Sequence, residues 1–177
     1  TFPFNISEGK VYQVTQVIPH ENYNPTNYAN DLALLKLKTE IDVVNARPVR
    51  LVKPEDVEEG AILPGVMTRV TGWGLTDVSP ETYPDGLQMV ELPIVSNSVA
   101  SVVWRQIPEN TIMAVYRYAT KDAFSGDRGG PMVISASGEF RQAGLVSWGS
   151  SICNTYSGFT RIPSFISWIE ARTGALD

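Results

Sequence analysis

In places along this chain apolar and polar residues alternate with the two-residue period of half-buried strands, and the best helical pattern comes near the end. Val11 to Ile18 is rich in β-branched residues and predicts a strand. Asp31-Leu-Ala-Leu-Leu-Lys-Leu opens as an apolar run and turns into alternation at Leu35 to Lys38, the pattern of a strand emerging from a core. Val90, Leu92 and Ile94 alternate along one strand face, and Met132 to Ser135 and Ala143 to Trp148 predict a pair of strands. Ser96 to Trp104 predicts a short helix capped by Ser96 or Asn97, weakened by its valines. Pro163 to Arg172 has the signals of a real one: proline at the start, Phe165, Ile166 and Ile169 on one face, and Gly174 as the stop.

Between these stretches lie breakers. Thr1 to Glu8 is loop-like and holds a glycosylation triplet at Asn5. Pro19 to Ala29, with two prolines and several asparagines, predicts a surface loop. Ile41 to Gly65 carries Pro48, Pro54, a short acidic stretch, Gly60 and Gly65, the composition of a connector between two units. There is no internal repeat and no low-complexity tract.

Composition narrows the picture. The 177 residues are enough for one domain or two small barrels sharing an interface, and 14 glycines with 12 prolines favour many short strands over long helices. A net charge of −5 without a basic cluster argues against nucleic acid or an anionic membrane as partner. No apolar run approaches a membrane span, and the first residues do not have the pattern of a signal peptide. The single cysteine, Cys153, excludes an intramolecular disulfide.

The chemistry centres on Phe124 to Pro131, FSGDRGGP, a tight turn with exposed backbone. It resembles the active-site loop of the trypsin/chymotrypsin family of serine proteases, GDSGGP in active members, with Arg128 at the position of the nucleophile. Four further stretches resemble that family in order and spacing: HENYN followed by Asp31, Thr71-Gly-Trp-Gly, Ser147-Trp148-Gly149, and the terminal helix. The resemblance covers about residues 10 to 173. It implies an all-β fold of two antiparallel six-stranded barrels with a C-terminal α-helix, the first barrel incomplete here: residues 1–55 the remainder of the first barrel, 56–162 the second, 163–173 the helix.

The resemblance also implies roles. Asp31 matches the triad aspartate. Gly126 and Arg128 match the backbone N–H donors of the oxyanion hole, which need no particular side chain. Asp122 matches the carboxylate at the base of trypsin's specificity pocket, and Ser147, Trp148, Gly149 and Gly158 match its walls, the glycines keeping it open. Asp127 matches the acid that pairs with a new N-terminal amine after activation; Thr1 does not correspond to that terminus, so Asp127 needs another partner. Positions matching three family disulfides carry Thr68 with Ile134, Ala100 with Met113, and Phe124 with Cys153, mostly apolar replacements. No cofactor and no metal is implied, and localisation by resemblance is secreted or extracellular.

Catalysis is where the match breaks. An arginine stays protonated and has no lone pair, so Arg128 cannot act as nucleophile. The matching catalytic histidine belongs to an upstream segment, and His20, the sole histidine, matches a solvated loop position instead. Ser125 lies three residues before the required place, out of register with the turn. Arg128 has three fates open to it: pairing with Asp122 as a built-in plug, pairing with Asp31, or pointing to solvent.

Three functions follow. The favoured one is a catalytically inactive homologue that binds proteases, their inhibitors or other proteins, completed by the upstream N-terminal segment of the same or a separate chain. The second is a trypsin-like endopeptidase cleaving after Lys or Arg, seen through an altered or partial chain. The third is a structural or carbohydrate-binding all-β module.

Overall fold

The computed structural model describes residues 10–44, 46–75, 77–78, 81–115, 126–136, 138–149 and 156–176. Among the sequence-derived expectations, Asn5, Asp122, Phe124, Ser125 and Cys153 lie outside the described residues.

Eleven strands occur among the described residues. They are β1 (Val14–Pro19), β2 (Ala33–Leu37), β3 (Arg50–Leu51), β4 (Met67–Gly72), β5 (Asp77–Val78), β6 (Glu81–Thr82), β7 (Gln88–Val95), β8 (Thr111–Ala114), β9 (Pro131–Ala136), β10 (Glu139–Trp148) and β11 (Ser157–Arg161). Helix α1 spans Pro54–Glu58, α2 spans Asn97–Ala100, and a 3-10 turn at Ile162–Phe165 leads into α3, Ile166–Thr173.

Six of the strands close on themselves. The order β11-β8-β7-β4-β9-β10, with β10 pairing back onto β11, makes a closed antiparallel barrel with no free edge. Strict alternation puts Thr68 and Val70 of β4 and Met132 and Ile134 of β9 inside, where they meet Leu92, Ile94 and Phe159. Register shifts in β10, between Gln142 and Gly144 and again between Val146 and Trp148, bend that strand where the barrel turns a corner.

The connector carries more order than its composition predicts. Val52 is fully buried in the barrel core, and its neighbours Arg50 and Leu51 form β3, which pairs in parallel with Arg141 and Gln142 of β10. Helix α1 follows, with Pro54 in its first turn and Asp56 accepting from the Lys53 N–H at 2.8 Å.

β1 and β2 form a separate antiparallel hairpin in the register Val17 opposite Leu35, and these two partners are 61% and 58% exposed. A sheet of two strands with apolar residues on an open face is unstable alone and calls for further strands.

The expected strand at Val11 to Ile18 starts three residues later, and the expected helix from Ser96 shrinks to one turn. Ser96 caps it, accepting from the Val99 N–H at 3.3 Å. The terminal helix is where its pattern puts it, with Phe165, Ile166 and Ile169 buried and Gly174 at φ +88° ending it.

Cross-strand geometry bears on the missing disulfides. Thr68 and Ile134 are Cα partners between β4 and β9, and Ala100 and Met113 are fully buried in one cluster with Trp148.

Candidate functional site

The glycine-rich run folds as its composition dictates. The Asp127 carbonyl accepts from the Gly130 N–H at 2.8 Å, and Gly129 takes φ +82°, the positive value a type II turn needs at its third position. The Gly129 N–H donates to Val146 O and the Val146 N–H to Gly130 O, which staples the turn to β10. Gly126, at φ +105°, lies so near Gly74 that a side chain on it would stand 3.1 Å from the Gly74 Cα.

Asp127 points inward. Its Oδ1 accepts from the Gly74 N–H at 2.7 Å, and the carboxylate fills the room that side chains at 72 and 74 would need: a Cβ on Gly72 would fall 1.9 Å from Oδ1, and one on Gly74 2.5 Å from Cγ. The partner that Asp127 requires is thus supplied in part by the backbone of the TGWG segment.

Asp31 stands at the end of the Asn-rich loop, just before β2. Its Oδ2 accepts from Ser147 Oγ at 2.5 Å, and its backbone carbonyl accepts from Thr160 Oγ1 at 2.7 Å. Both donors are buried in the second barrel, so these bonds tie the hairpin to it. Sequence reasoning singled out Ser147 as a pocket wall; Thr160 carried no sequence signal.

Arg128 is exposed, with its guanidinium carbon 5.6 Å from the centroid of the Tyr28 ring. Among the described residues it makes no ion pair; of the three fates open to it, pairing with Asp31 does not form, because that carboxylate accepts from Ser147. Pairing with Asp122 falls on residues outside those described. Tyr28 was not singled out in the sequence, nor was Tyr23, whose hydroxyl feels the same charges. Desolvation is the main reason its pKa is raised; Asp31 and Tyr28 push the same way and Arg128 opposes them.

Of the residues matched to pocket walls, Trp148 and Gly158 are Cα partners between β10 and β11. The Trp148 indole lies flat on Gly158, where a Cβ would fall 2.3 Å from Cε2, and Trp148 is only 8% exposed. It packs edge-on against Trp104 at 5.0 Å and beside Ala100 and Met113, with its Nε1 buried and unpartnered among the described residues. Gly149 faces Ser157, whose Oγ would stand 3.1 Å from a Cβ there. The space in front of Gly158 therefore holds an indole.

His20, expected to be solvated, is half-buried. It stacks on Trp168 of α3 at 4.9 Å and meets Phe165 edge-on at 5.4 Å, while its Nδ1 accepts from the Asn22 N–H. Next to it, Glu21 accepts from Trp168 Nε1 at 2.8 Å and from Arg172 at 3.0 Å, and the Trp168 bond is the main cause of its lowered pKa. The C-terminal helix thereby clamps the start of the loop that ends in Asp31. Terminal-helix packing decides this environment, and nothing local to residue 20 signals it.

A closed six-stranded antiparallel barrel, a second strand pair bound to it through an aspartate, and a terminal helix define a β-barrel serine protease fold. The chain belongs to the trypsin family, whose model, described as Trypsin, matches residues 3–169. It is 37% identical to duodenase-1 of Bos taurus over 165 residues, which cover 92% of this chain and 62% of that protein. It is 34% identical to anionic trypsin of Canis lupus familiaris over 163 residues, covering 90% of this chain and 62% of that one. To clotting factor C of Tachypleus tridentatus it is 34% identical over 177 residues, 91% of this chain and 17% of that protein. The chain spans about three-fifths of the first two relatives and about one-sixth of the third.

Proposed function

We propose that this chain is a non-catalytic member of the trypsin family that works by binding other proteins. The observation that carries this reading is Arg128: the residue at the nucleophile's place in the turn is a permanent cation lying over Tyr28, with no hydroxyl or thiol to attack a carbonyl. The partners in this reading are proteases, their inhibitors or other proteins, met outside the cell as the family resemblance implies. Among the described residues no helix is long and apolar enough to cross a membrane.

The exposed apolar partners Val17 and Leu35 support a second element of the reading, completion of the hairpin by upstream strands. In the relatives of greater length the matched stretch is only part of the protein.

The test is hydrolysis of a Lys or Arg ester and amide by the whole protein, alongside its Arg128→Ser variant. No turnover by the natural protein is expected. Turnover blocked by a serine-directed inhibitor in the natural protein refutes the reading.

A reading as an endopeptidase whose Arg128 is an inactivating change is favoured by one observation, the ordered Asp31–Ser147 bond, which keeps a carboxylate placed beside the turn. It predicts that Arg128→Ser alone gains trypsin-like turnover when the upstream histidine-bearing segment is present.

A further inference from the structure

The surroundings of Arg128 are more organised than an ordinary surface arginine requires. Tyr28 has φ +60°, a left-handed backbone that is rare for a residue with a bulky side chain. Several bonds hold it there. The Tyr28 N–H donates to Asn24 O at 2.8 Å, Asn24 and Ala29 form an antiparallel bridge, and the Ala29 N–H donates to Asn27 Oδ1. Asn30, also left-handed at φ +56°, donates to Asn22 O and accepts from Asn110 Nδ2 at 2.7 Å, which anchors the loop to the second barrel. The ring under the guanidinium is fixed in place by an over-determined loop.

Among the described residues the Arg128 guanidinium makes neither an ion pair nor a hydrogen bond, and the backbone N–H groups of Gly126 and Arg128 have no acceptor. Among the described residues two acids of this site are engaged elsewhere, Asp31 with Ser147 and Asp127 with Gly74. An exposed planar cation on an aromatic face, in the same turn as the N–H groups that the resemblance matches to an oxyanion hole, offers donors to an anion. A guanidinium matches the two oxygens of a carboxylate in a paired geometry, and the chain's net charge of −5 disfavours extended polyanions while leaving this local site open to a single acidic group.

We infer that the Arg128 turn binds a carboxylate of a protein partner, held in paired fashion by the guanidinium over Tyr28 and approached by the N–H groups of Gly126 and Arg128. The inference deepens the binding reading above and rests on it. It also assigns a charge preference: the turn attracts acidic groups and repels Lys and Arg side chains that approach it.

The whole protein, labelled with 15N, is titrated with three capped tripeptides: acetyl-Ala-Glu-Ala-amide, acetyl-Ala-Ala-Ala with a free C-terminal carboxylate, and acetyl-Ala-Gln-Ala-amide. Saturable shifts of the Arg128 Nε–H and of the Gly126 N–H are expected with at least one acidic peptide, at least about tenfold tighter than with the glutamine peptide. Which acidic peptide binds tells whether the site reads a side chain or a chain terminus. Arg128→Gln abolishes the preference for acid, and Arg128→Lys weakens it several-fold by losing the paired geometry. Tyr28→Gly removes the ring while suiting the backbone, so it also weakens binding several-fold in a protein that still folds. Equal binding of the glutamine and acidic peptides, or unchanged binding in Arg128→Gln, overturns the inference. Loss of acid preference in a protein that hydrolyses nothing removes this site but leaves the non-catalytic reading; hydrolysis by the natural protein removes that reading whatever the titration shows.

Discussion

If Thr68 and Ile134 are cross-strand partners, two cysteines placed there should join. Both are buried, at 0% and 2% exposure, and antiparallel partners of this kind have Cα atoms about 4.5–5.5 Å apart, inside the range a disulfide spans. The perturbation is Thr68→Cys with Ile134→Cys, made with Cys153→Ser so that only the new pair can form. Closing a loop of roughly 65 residues is worth about 4 kcal/mol in the unfolded-chain account, and engineered bridges commonly deliver less. Two costs accompany it. The Thr68 Oγ1 bond to Leu92 O at 2.7 Å is lost, about 1 kcal/mol, and Ile134 loses buried volume, about 1–2 kcal/mol. Both costs are shared by the reduced and oxidised forms, so their difference isolates the cross-link. Urea unfolding of the whole protein with and without reductant should show the oxidised form more stable by at least about 2 kcal/mol, a midpoint shift of about 1 M at a slope near 2 kcal/mol/M. A control pair, Thr68→Cys with Val133→Cys, should stay reduced because residue 133 faces the other side of β9. Free thiols in the folded Thr68/Ile134 variant, or bridging in the control, would show the register to be wrong.

Three other outcomes follow from single contacts. Gly158→Val puts atoms where the Trp148 indole lies, so the ring must leave its site; a red-shifted tryptophan emission and a loss of about 1–3 kcal/mol are expected, and unchanged emission and stability would contradict the packing. Gly74→Ala sets a methyl group 2.5 Å from the Asp127 Cγ and should cost at least about 2 kcal/mol by thermal or urea unfolding, whereas the same change at Gly65, where nothing lies within 4 Å but φ is +95°, should cost only backbone strain of about 1 kcal/mol. Hydrogen bonds from Lys10 and Tyr12 lower the Asp42 pKa from 3.8 to about 2; a folded pKa below the unfolded one means that the contact's contribution is complete above about pH 4 and lost as pH falls through 2. A carboxyl titration by NMR should give a midpoint near 2, and a midpoint near 4 would mean the contact does not persist in solution.

The parts of this fold legible in the sequence are those written in local pattern. Alternation at Val90, Leu92 and Ile94 gives an inward face whichever strands sit beside it, and Pro163 with Gly174 brackets the terminal helix by backbone chemistry alone. The turn at 126–130 is legible for the same reason, since its glycines meet a conformational demand. Contacts made across the fold are not. β3 pairs in parallel with a strand some 90 residues away, and only two residues take part, too few to leave a pattern. Trp148 lies on Gly158 because of the pairing of β10 with β11, and the stack of His20 on Trp168 joins residues almost at opposite ends of the chain. Tyr28 is the sharpest case: a tyrosine argues against a left-handed backbone, and only the bonds from Asn24, Asn27 and Asn110 around it explain the exception.

Asp127 sits in a cradle whose walls are missing side chains. A chain that replaces the residue after this aspartate alters its chemistry without disturbing a single strand, because Arg128 projects outward; a chain that replaces Gly72 or Gly74 must first evict a carboxylate from its seat. The two halves of the motif are thus under different masters. The glycines and the aspartate answer to architecture and the outward residue answers to use, so a Gly-Trp-Gly followed by Gly-Asp records how the backbone is folded and carries no information about whether a bond is ever cut.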